Sequence, residues 1–292
     1  MRNLLLRAIK KYQTDGLLPL LKVTSRLCYR KLLLSYLQFS PPLPPLTVQL
    51  QVDDTTAKFT VTSPKELKRL GYGGSVDESP ILRDFLTKIR GDDIVYDVGA
   101  NIGTHTAFAA SRLSSGRVVA FEPMPNNLRK LRANCTALNV PIDIHDVALA
   151  DENTTRDLHI VGTKKAGEGR HRLGGSNGEQ TVSVRTSQAD DYVKENGLPH
   201  PTVVKIDVEG AEMAVLRGMQ DLLADSSCRL VYCEVHHDSR PETGSPDIRD
   251  YGHEPSEVRE YLVELGFEVK RIYEKNTPVP KGHVLRATRK SE

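Results

Sequence analysis

The chain has 292 residues, 38% hydrophobic and 27% charged, which describes a globular protein with a sizeable core and excludes disorder as its general state. No run approaches the roughly 18 apolar residues of a membrane span. Net charge is only +2, but residues 1–39 carry Lys or Arg at 2, 7, 10, 11, 22, 26, 30 and 31 against Asp15 alone, so that segment is +7 and the remainder −5. The four cysteines (Cys28, Cys135, Cys228, Cys233) lack metal spacing, which predicts reduced thiols in a cytoplasmic protein.

The start, MRNLLLRAIKK, is unlike a signal peptide because Arg7 breaks its apolar run. Residues 1–39 read as a basic amphipathic helical arm, suited either to packing on the main domain or to resting on an anionic membrane surface. Residues 40–46 form a linker stiffened by Pro41, Pro42, Pro44 and Pro45. In the unit 47–91, TVQLQV and AKFTV alternate across DDTT as a hairpin, and Ser79-Pro80 opens a helix to about Ile89.

From residue 92 to 288 strands and helices alternate. IVYDV (94–98) precedes a helix near 103–113, RVVAFE (117–122) one near 125–138, and IDIHDVAL (142–149) is a third strand with its exit. DLHI and TVSVRT flank the Gly-rich loop 162–179, a short helix covers 188–195, and TVVKIDV is followed by a helix from Ala211. RLVYCEV, a helix near 256–265, FEVKRIY and HVLRA complete the chain. The order predicts an α/β protein with a doubly wound, mostly parallel sheet.

Ligands of such sheets sit beyond the carboxyl ends of the strands. After the first strand comes Asp97-Val-Gly99-Ala-Asn101-Ile-Gly103-Thr104, a glycine turn entering a helix whose N-terminus offers free N–H groups. Glu122 ends the second strand, where an acid accepts hydrogen bonds from ribose hydroxyls, and Asp146 ends the third, near where adenine would lie. The spacing DxGxNxG is not the dinucleotide fingerprint. An acid ahead of the glycines repels phosphate and attracts ammonium or sulfonium, which points to S-adenosyl-L-methionine.

In TVVKIDVEGAE (202–212) three charges, Lys205, Asp207 and Glu209, interrupt a buried strand. Asp207 is the first candidate to contact an acceptor hydroxyl; Glu209 would bind the cofactor amino group or pair with Lys205, and Lys205 and Asp207 share a face. His236, in the run Glu234-Val-His236-His237-Asp238 at the next strand end, titrates near neutrality and suits a base. Asp207, Glu234 and His236 would also serve as oxygen and nitrogen ligands, but no spacing demands a metal and none is assigned.

VYDVGANIGTHTAF, VVAFEPMPNNLRKLRANCTALN, HDVALAD, VVKIDVEGAEMAVLRGM and LVYCEVH, in that order, resemble the FkbM family of S-adenosylmethionine-dependent methyltransferases over roughly Glu78 to Tyr273. The resemblance implies a Rossmann-like class I methyltransferase fold, a three-layer sandwich with a seven-stranded sheet, and methylation of hydroxyl groups, often on sugars or polyketides. It implies Asp97, Gly99, Asn101 and Gly103 around the methionine end of the cofactor, Glu122 on ribose, and Asp146 with Val147 near adenine. The expected acceptor is a saccharide, glycoconjugate or other small molecule.

A nucleic-acid partner is not expected. Asp207-Val-Glu-Gly replaces the Asn/Asp-Pro-Pro-aromatic stretch of base aminomethylating enzymes, and residues 40–292 lack a basic footprint. Three rivals stand beside the O-methyltransferase reading: a methyltransferase with an N-acceptor or nucleic-acid substrate, a scaffold protein with a decayed methyltransferase fold, and a nicotinamide-dependent oxidoreductase.

Overall fold

A computed structural model of the chain describes residues 46–61, 79–136, 138, 140–161, 170–173, 180–238, 247–274 and 282–289. The basic arm, nearly all of the proline linker, and most of the Gly-rich loop lie outside these residues. Two compact units are distinguished, residues 1–50 with 58–79 and residues 51–57 with 80–292. Strands β1 (Leu46–Val52) and β2 (Thr55–Val61) form a two-stranded sheet, the expected hairpin, turning at Asp53 with φ 49°.

The second unit is built on seven strands: β3 (Ile94–Val98), β4 (Arg117–Phe121), β5 (Ile142–His145), β10 (Val203–Ile206), β11 (Leu230–Val235), β12 (Phe267–Glu274) and β13 (His283–Arg289). Their order is β12-β13-β11-β10-β3-β4-β5. The five central and right-hand strands run parallel, whereas β13 is inserted antiparallel between β11 and β12. Val95, Val118, Val119, Val203, Val204 and Val231 are wholly buried, as the apolar runs require of strands covered on both faces.

Helices α1 (Ser79–Lys88), α2 (Thr104–Arg112), α3 (Pro125–Cys135), α4 (Ala189–Asn196), α5 (Glu212–Gly218), α6 (Gln220–Ala224) and α7 (Pro255–Glu264) accompany the sheet. The helix expected from Ala211 is two short ones, broken at Met219, whose φ of −128° is not helical. Helix α3 stops at Cys135, short of 138.

The stretch 142–149 also divides. Its first half is β5; Ala148–Leu149 (β6) leaves that sheet and pairs with β9 (Gln180–Ser187) in a four-stranded sheet of order β6-β9-β7-β8. Strand β7 is Thr154–Val161, and β8 (Arg170–Leu173) is a strand inside what reads in sequence as loop. Among the described residues Cys135, Cys228 and Cys233 are free thiols, and no helix is long and apolar enough to cross a membrane.

Candidate active site

The glycine turn after β3 is held in shape by its neighbours. Gly99 and Ala100 both donate backbone N–H groups to the Phe121 carbonyl at 3.0 Å, and the Asn134 side chain donates to the Ile102 carbonyl at 2.7 Å. Three turn residues adopt left-handed backbone: Gly99 (φ 75°), Asn101 (φ 54°) and Gly103 (φ 86°). Gly99 is required twice over, because a Cβ there would lie 2.0 Å from the Asp207 carbonyl oxygen. The turn and the end of β10 thus touch backbone to backbone, and the two sequence motifs become one site.

Asp97 sits inside that turn with 2% of its side chain exposed. Its Oδ2 accepts the Thr106 hydroxyl at 2.6 Å, and its Oδ1 lies 3.1 Å from Lys205 Nζ. Lys205 faces Asp97 across adjacent parallel strands, and its ammonium also reaches the Gly99 carbonyl at 3.3 Å and Asp207 Oδ2 at 3.4 Å. The pairing of Lys205 with Asp207 is the one its place on the strand suggests, and the ammonium is turned inward, where it also meets Asp97. Asn101 Oδ1 is buried with no hydrogen-bond partner, an acceptor left open in the turn.

Glu122 is buried, and three N–H donors converge on it: Asn101 N at 2.8 Å on Oε2, Met124 N at 2.8 Å and Asn127 Nδ2 at 3.2 Å on Oε1. Burial pushes its pKa up to about 7, against the pull of those donors and of Lys205. The carboxylate fixes the turn at Asn101 while standing at the end of β4. Asp146 is exposed after β5 and Val147 is buried. Next to them the His145 ring stacks on Phe121, with its Nδ1 3.1 Å from the Tyr192 hydroxyl. Thr104 opens α2, with Gly103 at its N-cap position.

On the other side of Lys205, His236 is the hub. It is 6% exposed; Nδ1 lies 2.7 Å from Glu212 Oε1, and Nε2 lies 3.5 Å from Glu234 Oε1, 3.6 Å from Asp207 Oδ1 and 3.7 Å from Glu209 Oε2. Burial alone would lower its pKa, but the hydrogen bond to Glu212 and the charges of Glu209, Glu212 and Glu234 outweigh that and raise it to about 10. With no ion on Nε2, these carboxylates favour the protonated ring. Glu209 is in left-handed backbone (φ 54°), a strained setting for a non-glycine residue that turns its carboxylate toward His236.

The four acceptor-side candidates, Lys205, Asp207, Glu209 and His236, thus gather with Asp97 in one chain of charges, and Glu122 joins through Asn101. Asp146 and Val147 stand apart at the end of β5. Sequence reasoning missed Glu212, which is wholly buried and whose Oε1 also accepts the backbone N–H groups of Gly210 and His236. Its only signal was an acid on the apolar face of a short helix. Thr106 was also missed.

The seven-stranded, mostly parallel sheet of order β12-β13-β11-β10-β3-β4-β5 is the fold expected of a class I methyltransferase. The Methyltransferase FkbM domain matches residues 97–269, and the chain belongs to that family. It is 31% identical over 186 residues to the hexuronic acid methyltransferase AglP of Haloferax volcanii, covering 64% of this chain and 73% of that protein. It is 32% identical over 177 residues to the 31-O-demethyl-FK506 methyltransferase FkbM of Streptomyces tacrolimicus, covering 51% and 67%. A solved O-methyltransferase of Bacillus cereus in complex with SAH is 15% identical, with a TM-score of 0.44 over 97% of each chain. The protein is an S-adenosylmethionine-dependent methyltransferase.

Proposed function

We propose that the chain transfers a methyl group to a hydroxyl of a saccharide or glycoconjugate. The observation that carries the reading is the convergence of Asp207, Glu209, Glu234 and His236 at the ends of β10 and β11, beside the glycine turn. Two relatives, named as methyltransferases of a hexuronic acid and of a demethylated FK506, lend support.

The residues of the turn suit the cofactor. Asp97 braces the turn through Thr106 and Lys205, and Asn101 Oδ1 is an open acceptor for the methionine ammonium, with Gly99, Gly103 and Thr104 shaping the approach. Glu122 would take the ribose hydroxyls, and Asp146 and Val147 would flank adenine. When bound there, S-adenosylmethionine would supply a sulfonium methyl to the acceptor oxygen and keep the electron pair of the broken C–S bond on sulfur.

Asp207 receives the hydroxyl proton in this reading. With 26% of its side chain accessible it stands at the mouth of the site, and Lys205 and His236 flank its two oxygens. With no ion on Nε2, the raised pKa of His236 makes the ring an electrostatic partner of Asp207 instead of the base that its ordinary pKa suggests. Most of the rate comes from alignment in a dry site, with about 10²- to 10⁴-fold from the base. In the scaffold reading, calorimetry of the folded chain with S-adenosylmethionine gives no heat. The functional test is mass spectrometry of a lipid-linked and free saccharide pool incubated with the chain and S-adenosylmethionine. A gain of one methyl on a saccharide supports the proposal; methyl gain only on amines or nucleic acid overturns it.

A further inference from the structure

The ring of His236 faces a geometry that a set of hydrogen bonds does not explain. Glu212 fixes its orientation: Oε1 already accepts two backbone N–H groups, so the contact at 2.7 Å is an Nδ1–H donating to it. Nε2 then points at three carboxylates, of Glu234, Asp207 and Glu209, at 3.5, 3.6 and 3.7 Å. Each is longer than the roughly 2.7 to 3.2 Å of an ordinary N–H···O bond. Ligand atoms from Asp207, Glu234 and His236 all lie within 4.8 Å of one another. For bond lengths of about 2.1 to 2.4 Å, neighbouring ligands of a divalent cation stand about 3 Å apart and opposite ones about 4.5 Å. The observed separations fall within that span.

The donor set agrees with the distances. Carboxylates of Asp207, Glu209, Glu212 and Glu234 all lie within 3.7 Å of the His236 ring nitrogens, and carboxylate oxygen with imidazole nitrogen is a set that divalent cations take. Asp207 divides its oxygens, Oδ2 toward Lys205 and Oδ1 toward His236, so one is turned to each side. A histidine whose far nitrogen donates to a buried carboxylate is the arrangement that orients imidazole as a metal ligand.

We infer that Asp207, Glu234 and His236 form a divalent cation site of mixed oxygen and nitrogen ligands, of the kind that suits Mn²⁺ or Mg²⁺, with Glu209 at its edge. The site rests on the proposed function for its purpose: an ion there stands where the acceptor hydroxyl must approach and would bind its oxygen. Binding of the ion itself is independent of any acceptor.

The test uses the full chain and Mn²⁺ alone, followed by electron paramagnetic resonance. The expected result is one Mn²⁺ per chain, with nitrogen hyperfine coupling that disappears in His236→Gln, and affinity at least tenfold weaker in Asp207→Asn and Glu234→Gln. Circular dichroism verifies that each variant is folded; because Asp207 is the most exposed ligand, D207N supplies the reading if a buried substitution unfolds. No binding at millimolar Mn²⁺, binding without nitrogen coupling, or less than a twofold change in folded D207N overturns the inference and leaves an imidazolium ion-pair cluster. A chain that binds Mn²⁺ but methylates no saccharide keeps the site and loses the functional reading.

Discussion

Lys205 and Asp97 stand opposite one another on adjacent parallel strands, and their charged groups meet at 3.1 Å with less than a tenth of either side chain exposed. The pair ties the cofactor turn to the strand that ends in Asp207. Removing one partner of a buried pair leaves an uncompensated charge, which costs about 3–5 kcal/mol. Lys205→Met is expected to lose stability of that order in urea denaturation. The double variant with Asp97→Asn should lose less than the sum of the two single changes, since they share the interaction. Additive losses would mean the two groups do not depend on each other.

Gly99→Ala is expected to be far worse than Gly197→Ala. Both glycines are left-handed, at φ 75° and 60°, so each alanine carries a backbone cost of about 1–2 kcal/mol. A Cβ at Gly197 meets nothing within 4 Å, whereas at Gly99 it meets the Asp207 carbonyl at 2.0 Å, an atom no rotamer can move. Thermal denaturation and calorimetry with S-adenosylmethionine check this. Gly197→Ala should bind as the parent does, and Gly99→Ala should lose at least tenfold in affinity.

Glu122 gives the native state a dependence on pH. Its folded pKa of about 7 lies above the roughly 4.3 of a free glutamate. As pH rises, the unfolded chain therefore releases this proton first. Stability from the group is whole below about pH 4 and declines until about pH 7, by a total on the order of 3 kcal/mol. In Glu122→Gln that slope should be absent between pH 4.5 and 7.5, and cofactor affinity should fall at least tenfold. Equal slopes for parent and variant would contradict the assignment.

His283 acts at the acid end. Burial, Arg271 and His237 depress its pKa to about 4, and its Nδ1 lies 3.0 Å from His237 Nε2. A free histidine titrates near 6.5, so the unfolded chain takes up this proton first as pH falls. Stability present above about pH 6.5 is lost on going down through pH 4. His283→Gln should flatten that limb of a denaturation profile, and an unchanged limb would assign the loss to other groups.

How far the sequence discloses this protein depends on whether a feature is local. The strands were legible because apolar, β-branched runs such as IVYDV and RVVAF admit few other uses, and Asp97 and Glu122 were legible because strand ends are where such sheets bind ligands. Two strands of the second sheet, around DLHI and TVSVRT, were legible by their alternation, but the departure of Ala148–Leu149 to join them was not, since it is decided by pairing with residues 38 positions on. Glu212 looks like any acid in a first helical turn, and only the return of β11 brings His236 to it. The pairing of Lys205 with Asp207 two residues on was legible, but its contact with Asp97 was not, because Asp97 lies 108 positions earlier in the chain.

The central claim, that the methyl group goes to a saccharide oxygen through the Asp207 end of β10, is tested most directly on an oligosaccharide bearing a hexuronic acid. The chain is incubated with it and S-adenosylmethionine carrying a deuterated methyl group, and the product is analysed by tandem mass spectrometry before and after mild alkali. The account predicts one labelled methyl, retained through alkali as an ether on a ring hydroxyl, and formed at least a hundredfold more slowly by Asp207→Asn. A label released by alkali, which marks an ester on the carboxylate, or equal rates for the parent and the variant would contradict it.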